Sequence, residues 1–300
     1  IEESTDYVKK DSIQTLRKSQ KYLDSIDRKG NKFKIQKIIS GYTYKNSFEK
    51  WSFNYKGPLT SLLFNTVQGY HLTSGFSYLK EDKEQRTETT FGTLFNYGFA
   101  DEKFRGNLYY SQKFNNTNYA FLSVAAGNEV AQFNAQNPIS GIVNSVSTLF
   151  FKNNFMKLYD KSFVTVTYSQ EVANGVFLEG TLNYSERKPL WNTTNHTIVK
   201  NEDAYTSNNP LLPFDYNTSA IIKHNLAKGS IRARFKFGQE YWSRPDGKFN
   251  IPNGKYPTIH LFYEKGFAGN KSNYNFDFVS VKMTKDFGLG NKGVLAGNLN

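Results

Sequence analysis

Between Ile231 and Phe237 the chain alternates without a break: Ile231, Ala233, Phe235 and Phe237 are apolar, while Arg232, Arg234 and Lys236 between them are cationic. A helix would scatter these side chains around its circumference. A strand sends successive side chains to opposite faces, so it alone sorts them into one apolar and one charged row. The same period governs other segments. Tyr70, Leu72, Ser74, Phe76 and Tyr78 alternate with His71, Thr73, Gly75 and Ser77. Phe91, Phe95, Tyr97 and Phe99 form a series broken by Thr93, and Phe104, Leu108, Tyr110 and Phe114 stand against Arg105, Asn107, Ser111 and Lys113. Val176, Leu178, Leu182 and Tyr184 oppose Glu179, Thr181, Asn183 and Ser185, with a slip expected inside that segment. Tyr274, Phe276 and Phe278 continue the theme, and a change of phase near Val279 predicts a bulge.

Roughly a dozen such segments fit, each near the 9–11 residues that a tilted membrane-spanning strand needs. Their regular face is rich in Phe and Tyr rather than Val, Ile and Leu, and rings recur at segment ends (Tyr70, Tyr78, Phe99, Phe104, Phe114, Tyr119, Tyr184, Tyr241, Trp242, Tyr263). Rings at both ends of a strand fit the aromatic girdles of an outer-membrane barrel. The opposite face is too charged for the core of a sandwich. A closed sheet also leaves no unpaired edge, which lipid does not tolerate. The pattern therefore favours a transmembrane barrel, with a soluble β-rich domain as the alternative. Aromatic residues make up 16% of the chain, which excludes disorder. No run approaches 18 apolar residues, so a transmembrane helix is excluded, and the absence of cysteine removes disulfides, thiolate metal sites and a Cys nucleophile.

The first thirty residues are different. Thr5 to Arg28 carry helix formers without Gly or Pro; Ile13, Leu16, Leu23 and Ile26 share one stripe, and Gly30-Asn31 is a stop signal. A second helix is expected in Pro138–Tyr159, after Asn137-Pro138. Tight turns are expected at Asp101-Glu102-Lys103, Asn115-Asn116-Thr117 and Asn174-Gly175, and a long polar link across Arg187–Lys228. The chain begins at Ile1 without Met or a signal peptide, and Val294–Asn300 reads as a strand cut in its middle. The expected organisation is a linker or plug helix over 1–31, periplasmic or inside the lumen, followed by a barrel region over 32–300 truncated at its C-terminal end.

Five stretches, in this order and spacing, carry a resemblance: KKDSIQTLRKSQKYLDSIDRKGNKF (Lys9–Phe33), GYTYKNSFEKWSFNYKGPL (Gly41–Leu59), FNTVQGYHL (Phe64–Leu72), STLFFKNNFMKLYDK (Ser147–Lys161) and YPTIHLFYEKG (Tyr256–Gly266). Together they resemble the Bacteroidota outer-membrane β-barrel family of uncharacterised function that usually follows a carboxypeptidase-regulatory-like sandwich. The resemblance implies an all-β fold, location in the bacterial cell outer membrane, and an upstream sandwich domain that binds or supports rather than cleaves. It implies no reaction and no ligand.

Formal charge is +12, from 38 Lys and Arg against 26 Asp and Glu, which favours anionic partners. The lumen-facing candidates are Arg105, Lys113, Arg232, Arg234 and Lys236, able to favour an anionic solute or to be paired by acidic residues of neighbouring strands. Nucleic acid is not expected, because the aromatic residues lie on the face opposite the basic ones. None of His71, His196, His224 and His260 forms a metal-binding pair, and His71 reads as a hydrogen-bonded lumen residue. His196, Asp203 and Asp215 share the long link, where such residues occur by chance. The expectation is therefore no enzyme, no catalytic residue, no metal and no cofactor. Outer-membrane lipid and other envelope proteins are the expected partners. Two roles remain: transport or envelope assembly, or a plugged structural barrel that anchors the sandwich and docks partners.

Overall fold

The computed structural model describes residues 12–13, 15–135, 137–200, 203–252, 255–288 and 294–299. Residues 12–13 and 15–18 are helical, and Ser19 interrupts them, accepting a hydrogen bond from the Tyr22 amide as cap of α1 (Gln20–Gly30). The helix ends at Gly30, capped by Asn31, as the stop signal predicts. No side chain of α1 is buried, and Ile13, Leu16 and Ile26 stay exposed. The part of the predicted Thr5–Arg28 helix before residue 12 lies outside the described residues. A single turn, α2 (Lys37–Ser40), leads into the sheet.

The strands follow in order: β1 (Tyr42–Asn46), β2 (Trp51–Lys56), β3 (Leu63–Asn65), β4 (Gly69–Asp82), β5 (Thr87–Gly98), β6 (Lys103–Lys113) and β7 (Phe121–Gln132). After helix α3 (Gly141–Phe151) come β8 (Leu158–Ala173), β9 (Val176–Pro189) and β10 (His224–Lys236). A hairpin of β11 (Tyr241–Arg244) and β12 (Gly247–Asn250) precedes β13 (Thr258–Ala268), β14 (Phe276–Gly288) and β15 (Val294–Leu299). All but the hairpin join one antiparallel meander, in which β2 and β3 share the length of β4. Among the described residues the sheet does not close: β1 pairs only with β2 and β15 only with β14. At the free edge of β1, the Asn31 amide bonds both the N–H and the C=O of Lys45, at 2.8 and 2.7 Å.

Register sorts the residues as the alternation predicts. One row, from β2 through β4 to β9, reads Phe53, Tyr78, Phe91, Tyr110, Val124, Val166, Leu182. The adjacent row on the other face reads Asn54, Ser77, Gly92, Tyr109, Ala125, Thr165, Asn183, then Lys228 of β10. The apolar row is the exposed one, with Leu182 at 68% and Phe91 at 51%. Buried polar side chains such as Arg105 and Ser185 lie on the other face. The sheet curls around that inner face, because Val67, from the turn before β4, packs against Met156 and Leu158 at the start of β8. In a flat sheet those strands would lie about 19 Å apart. Two of the glycines show why the sheet needs them. At Gly92 the ring of Tyr109 occupies the space of a Cβ, and at Gly127 (φ +153°) a Cβ would meet the β6 backbone where β6 pairing ends.

Two expectations need correction. No slip occurs within Val176–Ser185; the irregularity lies in the partner strand, between Glu171 and Ala173. No bulge occurs at Val279 either. The β13–β14 register runs continuously, with Val279, Val281 and Met283 on the outer face and Phe276 and Phe278 on the inner one, so Phe278 meets Phe262 edge-on. The expected short helix is present within Pro138–Tyr159, as Gly141–Phe151. Lys152 turns left-handed (φ 59°) and its amide returns to Ser147 and Thr148, so an extended stretch leads into β8. Likewise β9 and β10 consume the ends of the long link, leaving 190–223.

Candidate functional site

The two ends of the sheet are closed by different material. At one end α3, residues 152–157 and the described parts of the link, 190–200 and 203–223, form a helical cap. Tyr205 is buried there and donates to the carbonyls of Thr148 (3.0 Å) and His196 (2.7 Å). Asn208 secures Leu158 through its amide and carbonyl, and Lys157 donates to Thr206 Oγ1 and the Ser207 carbonyl. Burial pulls the Lys157 amine down to about 8.

At the opposite end the β11–β12 hairpin folds back across the mouth. Pro245-Asp246-Gly247 supplies the turn, with Pro at its second position and Gly at its fourth. The Lys248 carbonyl accepts from Asn116 Nδ2 (3.0 Å) and from the Tyr119 hydroxyl (2.6 Å), both on the β6–β7 turn. Arg86, from the β4–β5 turn, pairs with Asp246 at 2.8 Å and lies over the Phe249 ring at 4.3 Å. The Lys248 ammonium meets Glu171 at 2.8 Å, while the other oxygen of Glu171 accepts the Gly175 amide. Beneath the hairpin is a cavity of about 520 Å³, in the size range of small-molecule sites. Strand β10 gives it Arg234 and Lys236; the end of β8, the β8–β9 turn and the start of β9 give Glu171, Gly175 and Phe177; Arg86, Gln239, the β6–β7 turn and the hairpin complete the wall.

All five predicted basic residues fall on the inner face by register, but they do not form one site. Arg105 is 2% exposed at the capped end, held between Asp101 and Asp160 at 2.8 Å each. Lys113 donates to Asn116 Oδ1 at 3.1 Å, at the edge of the hairpin contact. Arg232 is neutralised by Glu179 at 2.8 Å and covers Phe262. Arg234 and Lys236 line the cavity, and among the described residues neither has a carboxylate within ion-pair distance. Arg234 stands over Phe177 at 4.8 Å. This overturns the reasoning that aromatic and basic residues keep to separate faces: Phe177 and Phe262 share the inner face with the arginines that cover them, and Phe249 of the hairpin lies under Arg86.

His71 meets Asn96 at 3.3 Å, and His196 packs against Phe64 and Tyr70. His224 stacks on Tyr274 at 3.6 Å. Asp215 accepts from the amides of its own turn at Asn217 and Thr218. No hydrogen bond or ion pair joins His196 to Asp215. No group of three metal-ligating side chains occurs among the described residues. Sequence reasoning missed Arg86, Glu171 and Lys248, which converge from the β4–β5 turn, the end of β8 and the hairpin strand β12. The Pro-Asp-Gly turn was the one local sign of the hairpin that joins them.

Among known families, residues 36–300 match the one described as "Family of unknown function (DUF5686) C-terminal domain". No curated protein and no solved structure matches the chain.

Proposed function

The chain belongs to the DUF5686 C-terminal domain family, and we propose that its sheet forms the wall of a transmembrane β-barrel in a Gram-negative, Bacteroidota-type outer membrane, acting in transport or envelope assembly. What supports this reading is the inverted distribution of side chains. Nine hydrophobic residues are buried among those described, while the outer row from Phe53 to Leu182 is left to the surroundings along with Ile231, Leu261 and Val281. A continuous exposed apolar surface of that extent is what lipid covers. Strand length agrees. The 13 residues of β14 span about 44 Å at the usual rise, and a tilt of about 40° reduces this to a height of about 34 Å, matching the hydrocarbon core.

A second reading is a structural barrel that anchors a carboxypeptidase-regulatory-like domain and docks envelope proteins. It draws support from the helical cap and the hairpin, which cover the inner face at both ends. Helix α1, expected as a linker or a plug, contacts the β1–β2 turn through Asp27 and Ser47.

The test uses the full-length protein. After refolding into phospholipid vesicles it should migrate faster unboiled than boiled and resist external protease. A monodisperse protein in detergent-free buffer, with no affinity for vesicles, overturns the barrel reading. Conductance in planar bilayers then separates the two roles. Current from the intact protein, or from a variant lacking residues 240–251, favours transport; silence from both favours the structural role.

A further inference from the structure

We propose that the cavity beneath the β11–β12 hairpin is a binding site for a phosphate monoester. The argument is one of charge. Four cations line the cavity, Arg86, Arg234, Lys236 and Lys248, against one lining carboxylate, Glu171. Lys248 is taken by Glu171 and Arg86 by Asp246, so the two positive charges of Arg234 and Lys236 stand without a carboxylate. The register extends this imbalance along the sheet. His260 of β13 lies opposite Arg234, and Lys282 of β14 opposite His260.

A phosphate monoester carries between −1.5 and −2 charge near pH 7 and three acceptor oxygens, which matches two uncompensated cations better than a carboxylate does. Arginine adds a planar fork of donors suited to phosphate, here supported from below by the Phe177 ring. The position of Lys236 is fixed through its own main chain, whose amide donates to the Gly175 carbonyl at 2.8 Å. The site uses residues of the inner face, the turns at that end and the hairpin, and none of the outer apolar row, so it does not rest on the outer face meeting lipid.

The phosphate can come from a soluble ester or from a lipid headgroup reaching over the rim, and the experiment separates them. Full-length protein is placed in nanodiscs of uncharged lipid and titrated with glycerol 3-phosphate, with hydrogen exchange of residues 241–250 as the readout. Protection of the hairpin, weakened tenfold or more in Arg234→Gln and in Lys236→Gln, supports a soluble ester. Protection that appears only when phosphatidic acid replaces part of the neutral lipid, and that the same substitutions weaken, supports a headgroup. Arg232→Gln, whose charge Glu179 already balances, should leave the affinity unchanged. Lys236 is an exposed residue, so its variant keeps the test valid should the Arg234 variant fold poorly. Equal affinity in wild type and both variants, or no protection from either phosphate source, overturns the proposal.

Discussion

Leu182 offers the sharpest test of the outer face. It lies at the middle of β9, is 68% exposed, and sits in the apolar row beside Val166. In water, replacing so exposed a side chain by arginine changes stability by roughly 0.5 kcal/mol or less. At the midplane of a bilayer the same arginine costs about 2–4 kcal/mol on the lipid face of a barrel. A cost of about 2–4 kcal/mol corresponds to a loss of roughly 30- to 700-fold in the folding equilibrium. The measurement is urea unfolding of Leu182→Arg and wild type in vesicles, with Ser230→Arg as the partner variant. Ser230 is on the inner face, opposite Thr181 and Glu264; Glu264 already pairs with Lys228 at 3.0 Å, so the control rests on the polar surroundings of that face rather than on a free carboxylate. The expected result is a large loss for Leu182→Arg and less than about 1 kcal/mol for Ser230→Arg. Equal, small effects would refute the assignment of the outer face to lipid.

Arg105→Met should destabilise by about 3–5 kcal/mol, because it leaves Asp101 and Asp160 facing each other without their shared cation; chemical unfolding measures this, and a loss below 1 kcal/mol would contradict the buried triad. Gly127→Ala should cost about 1–3 kcal/mol for its positive φ and its approach to the β6 backbone, while Gly180→Ala, with open space around it, should be near neutral in the same assay. Lys157 binds its proton less tightly folded than unfolded, so the folded state gains stability as pH rises from about 8 towards the ordinary value of 10.5. The melting temperature of wild type relative to Lys157→Met should climb across that window, and a flat difference would show that burial does not depress this amine.

Period-two patterning made the strands legible because the two environments differ so sharply in polarity. From Tyr70 to Lys113 each turn and each face agrees with the alternation. It failed where ring chemistry misled. Phe276 and Phe278 looked like outer residues, but the inner face accepts aromatics wherever an arginine or another ring covers them, as Phe262 does for Phe278. The hairpin site was less legible still. Arg234 and Lys236 were visible as unbalanced charge within one strand, yet their lack of counter-ions depends on which carboxylates the neighbouring turns supply. Glu179 reaches Arg232, two residues away, and Glu171 is drawn to Lys248 instead of Arg234. Such pairing is decided by register and by a hairpin fold that crosses several strands, and no local window contains that information.

The two closures also differ in how they are held, and this decides where the inner face can open. The helical cap is fixed by buried groups: Tyr205, Asn144 and Thr148 are almost without exposure, and each buried hydrogen bond broken there costs about 1–3 kcal/mol. The hairpin depends on Arg86–Asp246, with both side chains more than 30% exposed, a pair worth about 1 kcal/mol or less, and on a few main-chain bonds at Lys248. Its remaining anchor, Lys248–Glu171, is buried and resists screening. Raising salt to 1 M shortens the screening length to about 3 Å and weakens the exposed pair alone. Hydrogen exchange at residues 244–247 should therefore accelerate with salt, while amides at 203–209 in the cap and at Lys248 stay unchanged. Arg86→Ala should reproduce the fast exchange at low salt and abolish its salt dependence. If the cap responds to salt as much as the hairpin tip, the asymmetry is wrong and the inner face has no preferred end from which to open.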